Sequence, residues 1–155
     1  VHAAFPANLI GYRAHRPHRS EPVPMPLDLT TLTQIATDYT AAWNSKDPHA
    51  VASFYAEDGK IVINRGEPWL GRMKVAEMAA GFYADVPDLT LLCDDIRLAG
   101  DHAVFVWTFT GHDAGTGHPL NIRGWEEWDL GADGKVQASK GWFDAEEYAR
   151  QVAGT

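Results

Sequence analysis

Residues 120–130, LNIRGWEEWDL, set two adjacent glutamates among tryptophans. Read as a strand, the run sends successive side chains to opposite faces. Ile122, Gly124, Glu126, Trp128 and Leu130 then share one face, and Asn121, Arg123, Trp125 and Glu127 the other. One carboxyl group, Glu126, stands on an otherwise apolar face. Desolvation there disfavours its charged form, raises its pKa and suits it to general acid or base chemistry near neutral pH. Two plainer readings compete. Arg72, Arg97 or Arg123 pairs with it, or the register slips by one residue and Glu127 faces inward instead.

Tyr39, on the apolar face of a predicted helix, is the candidate hydrogen-bond donor to accompany Glu126; its plain alternative is a core tyrosine bonded to a backbone carbonyl. Trp43, Trp69, Phe82, Trp107, Phe109, Trp128 and Phe143 read either as the wall of a ligand cavity or as volume-filling core. Ile63 and Asn64 close a predicted strand and would sit near the cavity mouth, with a turn-forming role the alternative for Asn64. His112, Asp113 and His118 flank a loop, but a zinc site needs three or four converging ligands, so solvated loop histidines are expected. The GTG at 115–117 opens no helix and is not a phosphate loop. Neither a metal nor a cofactor is predicted.

The elements that must position these groups follow from pattern. Leu32, Ile35, Ala36, Tyr39, Ala42 and Trp43 recur at helical spacing behind Asp28 or a following threonine as N-cap. Asp47-Pro48 opens a second short helix with Val51, Phe54 and Tyr55 as its apolar face. Residues 60–64 read as a strand and 65–70 as a loop. Val75, Met78, Ala79 and Phe82 mark a third helix, ended by Pro87. Four strands at 89–99, 102–113, 120–130 and 135–143 follow, joined by short Gly-containing connections that imply antiparallel neighbours. Asp144 and Glu147 form a capping-box pattern that opens a final helix.

With 155 residues the chain is one domain's length. Its 45% hydrophobic content and formal charge of −8 fit a soluble globular protein and argue against nucleic acid and membrane as partners. Cys93 is the single cysteine, which excludes an intrachain disulfide and fits a cytoplasmic protein. Residues 1–26 are rich in arginine, histidine and proline without periodicity, and read as an extended N-terminal arm ahead of a domain over 27–155, with Met25 a natural beginning for it.

The pattern is segregated α+β: a curved antiparallel sheet, its concave face covered by N-terminal helices, with a short C-terminal helix. On the second long strand Ala103, Phe105, Trp107 and Phe109 face one way, toward core and cavity. Val104, Val106, Thr108 and Thr110 face the other, an outer surface suited to homodimer contact, with Trp125 at the interface.

YTAAWNSKDPHAVASFYAEDGKIVIN at 39–64, GEPWLGRMKVAEM at 66–78 and GWFDAEEYARQVAG at 141–154 resemble the nuclear transport factor 2-like superfamily, and within it the SnoaL-like group. The likeness covers residues 28–154 and implies a cone-shaped cup that hosts isomerases, cyclases, epoxide hydrolases, dehydratases and binders. By comparison with ketosteroid isomerases, Tyr39 matches an oxyanion-binding tyrosine and Glu126 the acid that assists it, while Ile63 falls at the position of the base. By comparison with limonene-epoxide hydrolases and SnoaL-type cyclases, Gly141 replaces a last-strand acid, and by comparison with the hydrolases Ile61 and Ile63 replace a first-strand tyrosine and asparagine. The resemblance thus implies a small apolar ligand and, if a reaction, cofactor-independent isomerisation, cyclisation or dehydration with Glu126 as acid or base and Tyr39 as donor. An enzyme predicts Glu126 buried, unpaired with arginine and open to a cavity of roughly a few hundred Å³. A carrier, or a dimerisation module with a further exposed apolar patch, is the alternative.

Overall fold

The computed structural model describes residues 27–155; the predicted arm at 1–26 lies outside the described residues. Helix α1 (Leu29–Asn44) starts where the Asp28 carboxylate accepts the Thr31 N–H at 2.7 Å. It buries Leu32, Ala36, Tyr39, Ala42 and Trp43, the face expected from spacing. Helix α2 (Pro48–Ala52) follows an Asp47 cap. Strand β1 (Tyr55–Ile63) and the two-residue β2 (Trp69–Leu70) lead into α3 (Arg72–Asp85). Strands β3 (Thr90–Ala99), β4 (His102–His112), β5 (Pro119–Leu130) and β6 (Val136–Phe143) come next, and α4 (Ala145–Ala153) ends the chain.

The strands form one sheet in the order β2-β1-β6-β5-β4-β3. Hairpin connections make the β3 to β6 ladder antiparallel. The sheet as a whole is mixed, because β1 runs parallel to β6. No hairpin constrains that pair, since α3 and four strands intervene between them.

Three local expectations are corrected. Tyr55 is the first residue of β1 and not part of the α2 face, since α2 stops at Ala52. The strand predicted for 60–64 therefore starts earlier, with a register irregularity between Tyr55 and Lys60 that absorbs the apparent turn AEDG. Within the predicted loop at 65–70, Trp69 and Leu70 pair with Ile61 and Lys60.

On β5 burial alternates along the whole strand, with Leu120, Ile122, Gly124, Glu126, Trp128 and Leu130 turned to the core. The same core face on β4 carries Ala103, Phe105 and Phe109, with Trp107 partly buried between them. Gly124 lies opposite Trp107 and Phe143. A Cβ there would run into the Trp107 ring and the Trp142 carbonyl, so the glycine is what lets that indole lie across the strand. α1 packs Tyr39 against Phe105 and Trp128, with ring centroids 5.4 and 5.1 Å apart.

Candidate active site

Alternation on β5 brings Glu126 inside, and three other elements bring it donors. Its side chain is 5% exposed. Tyr39 from α1 and Tyr55 from β1 each place a hydroxyl 3.1 Å from Oε1, and Ser139 from β6 places its hydroxyl at 3.2 Å. The two phenol oxygens are themselves 3.1 Å apart. Each tyrosine has one proton to give. When both donate to an ionised Glu126, their mutual contact carries no hydrogen bond.

No arginine reaches this carboxylate among the described residues. The Arg72 Nε donates to the Tyr55 carbonyl, Arg97 pairs with Asp95, and Arg123 lies on the opposite face of β5. Burial pushes the Glu126 pKa up to about 7; the Tyr55, Tyr39 and Ser139 hydroxyls and the nearby Trp128 indole oppose the shift without cancelling it. The Trp128 Nε1 itself has no partner within normal hydrogen-bond geometry among the described residues. Burial, and then the Glu126 charge, hold both tyrosines well above the ordinary phenol range, which keeps them neutral donors.

All three hydrogen bonds fall on Oε1, so Oε2 has no protein donor among the described residues. Glu126 also contributes to the wall of a partly open apolar cavity of about 60 Å³. A proton on the carboxyl group belongs on Oε2, because Oε1 already accepts from the hydroxyls. The arrangement can therefore hold, give or take a proton at Oε2 near neutral pH.

Of the residues singled out by sequence, Trp43, Ile63, Phe82, Trp107, Phe109 and Phe143 line this cavity with Glu126. Tyr39 stands behind Glu126 rather than in the wall. Trp128 is 1% exposed and stacked on Phe105, with centroids 5.1 Å apart, beneath the cavity floor. Trp69 is held in the β1–β2 pairing, outside the wall. Asn64 adopts a left-handed backbone (φ 49°) and extends the β1–β6 pairing, its N–H donating to the Gly141 carbonyl and its Oδ1 accepting the Phe143 N–H. That is the turn-forming role. The cavity is smaller than the few hundred Å³ expected, because six aromatic rings project into it.

Sequence reasoning missed Tyr55 and Ser139 as partners of Glu126. Tyr55 was hidden by the false turn signal after it. Ser139 was findable, since it shares a face of β6 with Gly141 and Phe143 and lies opposite Trp128. His112 and His118 do not converge: His112 meets Asp88 at 2.6 Å, and His118 meets the Val152 carbonyl at 2.8 Å. Among the described residues no group of three or more potential ligands could hold a metal.

The profile of the SnoaL-like domain family matches residues 36–138. No curated protein matches the chain. Similar solved structures include a protein of Catenulispora acidiphila with a ketosteroid isomerase-like fold, in complex with trimethylamine, at 21% identity over 77% of this chain and 92% of that one, TM-score 0.72. TerC, co-crystallised with polyporic acid, is similar at 17% identity over 78% and 97% of the two chains, TM-score 0.68. SalBIII, an epoxide hydrolase/cyclase-like enzyme of pyran ring formation in salinomycin, is similar at 14% identity over 77% and 95%, TM-score 0.69. The matched profile, set on the ketosteroid isomerase-like α+β fold that the chain shares with these neighbours, makes the chain a member of the SnoaL-like domain family.

Proposed function

We propose that the protein binds a small, largely apolar molecule in the cup and that Glu126 exchanges a proton with it through Oε2. The reaction class is a cofactor-independent isomerisation, cyclisation or dehydration. One observation carries this reading: a buried carboxyl group without a cationic partner among the described residues, its pKa pushed up to about 7 on the wall of an apolar cavity. Such a pKa lets one group serve as acid and base at neutral pH. Tyr39 and Tyr55 hold Oε1 and leave Oε2 for the ligand. The neighbours' small ligands, trimethylamine and polyporic acid, favour small-molecule binding in this cup. Ligand screening by thermal shift identifies the compound. Glu126→Gln should then lower turnover by at least about 100-fold, the size of a general acid–base contribution, while the compound still binds; unchanged turnover rejects the assignment.

A carrier without catalysis is the second reading, favoured by Ile63 and Gly141, which supply only apolar surface where relatives place their reacting groups. Binding with no turnover in wild type would select it. We also infer a homodimer through the outer sheet face. Trp125, 44% exposed and stacked on Trp142, and the exposed Leu92 support it, and sedimentation at micromolar concentration tests it. No helix among the described residues is long and apolar enough to cross a membrane, and the lone Cys93 favours the cytoplasm.

A further inference from the structure

We infer that the cup takes a small tertiary amine in its protonated form, with the ammonium N–H on Glu126 Oε2 and the alkyl groups against the surrounding aromatic rings. This rests on ligand binding in the cup and is independent of turnover. The inventory of the wall carries it. Among the described residues Glu126 is the only lining side chain with an oxygen atom; apart from the indole N–H groups of Trp43 and Trp107, the rest is hydrocarbon, Met78 sulfur and Gly141. A polyhydroxylated ligand would bury more polar atoms than one carboxyl group and two indole N–H groups can meet. A tertiary ammonium brings one donor and an otherwise apolar surface, which matches a site offering one acceptor.

Charge points the same way. Trp43, Phe82, Phe105, Trp107, Phe109 and Phe143 surround the space, several in direct ring contact: Trp43 with Phe82 at 6.1 Å, Trp107 with Phe109 at 5.8 Å. Aromatic faces attract cations, and quaternary and methylated ammonium groups are their usual guests. Three hydroxyls fixed on Oε1 stabilise the anion that a cation needs. At about 60 Å³ the cavity has room for about four to six water-sized groups, a small branched amine rather than a polycycle.

Binding should strengthen as Glu126 ionises. The titratable groups facing it are Tyr39 of α1 and Tyr55 of β1, both neutral here; Phe105 of β4 and Ser139 and Gly141 of β6 bring no charge. An alkylamine stays protonated across this range.

The test compares N,N-dimethylethylammonium with 2-methylbutan-2-ol, a neutral molecule of similar branching, by NMR titration of the whole protein. The ammonium ion should bind at least tenfold tighter than the alcohol near pH 8. Its affinity should fall about tenfold near pH 6, following a carboxyl group of pKa about 7, and the alcohol's should not. Glu126→Gln should abolish both differences; if that variant fails to fold, the pH series on wild type decides. Equal binding of the two compounds, or a flat pH series for the ammonium ion, overturns the amine assignment and leaves the apolar cup standing. Absence of binding by both rejects the cup as a ligand site as well.

Discussion

Glu126 and Glu127 are neighbours of one residue type on one strand, and they live in different media. Glu126 points into the cup, meets three hydroxyls and titrates near neutrality. Glu127 points outward, lies opposite Lys140 across the ladder, and accepts the indole N–H of Trp142 at an exposed site. Both carboxylates have a hydrogen-bond donor, so donors are not the difference. Desolvation is, and the pleat of the strand assigns it to one of the two. The tryptophans on either side repeat the contrast: Trp128 inside is sealed, and Trp125 outside rests on Trp142 with nearly half its surface in solvent.

The tryptophan pair gives the largest expected effect. Trp128→Ala removes an indole packed on Tyr39 and Phe105 and leaves a void, at a cost of about 3–5 kcal/mol. Trp125→Ala loses one exposed stacking contact, worth about 1 kcal/mol. Urea denaturation of the two variants measures both. Equal losses would mean that the outer face is as buried in solution as the inner one.

The glutamate pair comes next. Because folding raises the Glu126 pKa from 4.5 to about 7, the folded state holds its proton more tightly than the unfolded state. Its contribution is fully present below about pH 4.5 and is lost as pH rises through 7, a loss on the order of 3 kcal/mol. Denaturation at steps from pH 5 to 8 should show this decline in wild type and in Glu127→Gln, and a flatter profile in Glu126→Gln. A wild-type profile that parallels Glu126→Gln would place the pKa near its ordinary value.

The inside–outside assignment was legible before the fold was known, because a period of two depends on local geometry alone. LNIRGWEEWDL declared its buried face, and the spacing of Leu32, Ile35, Ala36 and Tyr39 declared that of α1. The α+β fold was legible for the same reason, while the family was legible only as a resemblance of the stretches 39–64, 66–78 and 141–154 to the SnoaL-like group. What surrounds Glu126 was less so. Tyr55 is 71 residues away along the chain, and its place in β1 depends on an irregularity opposite β6 that overrides the turn signal of AEDG. The parallel pairing of β1 with β6 brings Ser139 and Gly141 into the site, and no local signal encodes a non-sequential partner. Cavity volume is the least legible quantity, because it is the remainder after six rings have chosen their rotamers.

Tyr55 gives the smallest of these effects and the finest comparison, since it does inside what Trp142 does outside: it donates to a glutamate. Tyr55→Phe keeps the ring and removes the hydroxyl. Near pH 8, with Glu126 ionised, the lost bond is charge-assisted and the variant should be destabilised by about 1.5–3 kcal/mol; near pH 5, with a neutral acid, by about 0.5–1.5 kcal/mol. Trp142→Phe should cost within about 1 kcal/mol at either pH, because water replaces the indole N–H at an exposed carboxylate. The pH dependence is the informative part. A tyrosine that only filled space would cost the same at both pH values, whereas one that sets the charge of Glu126 must matter more when that charge exists.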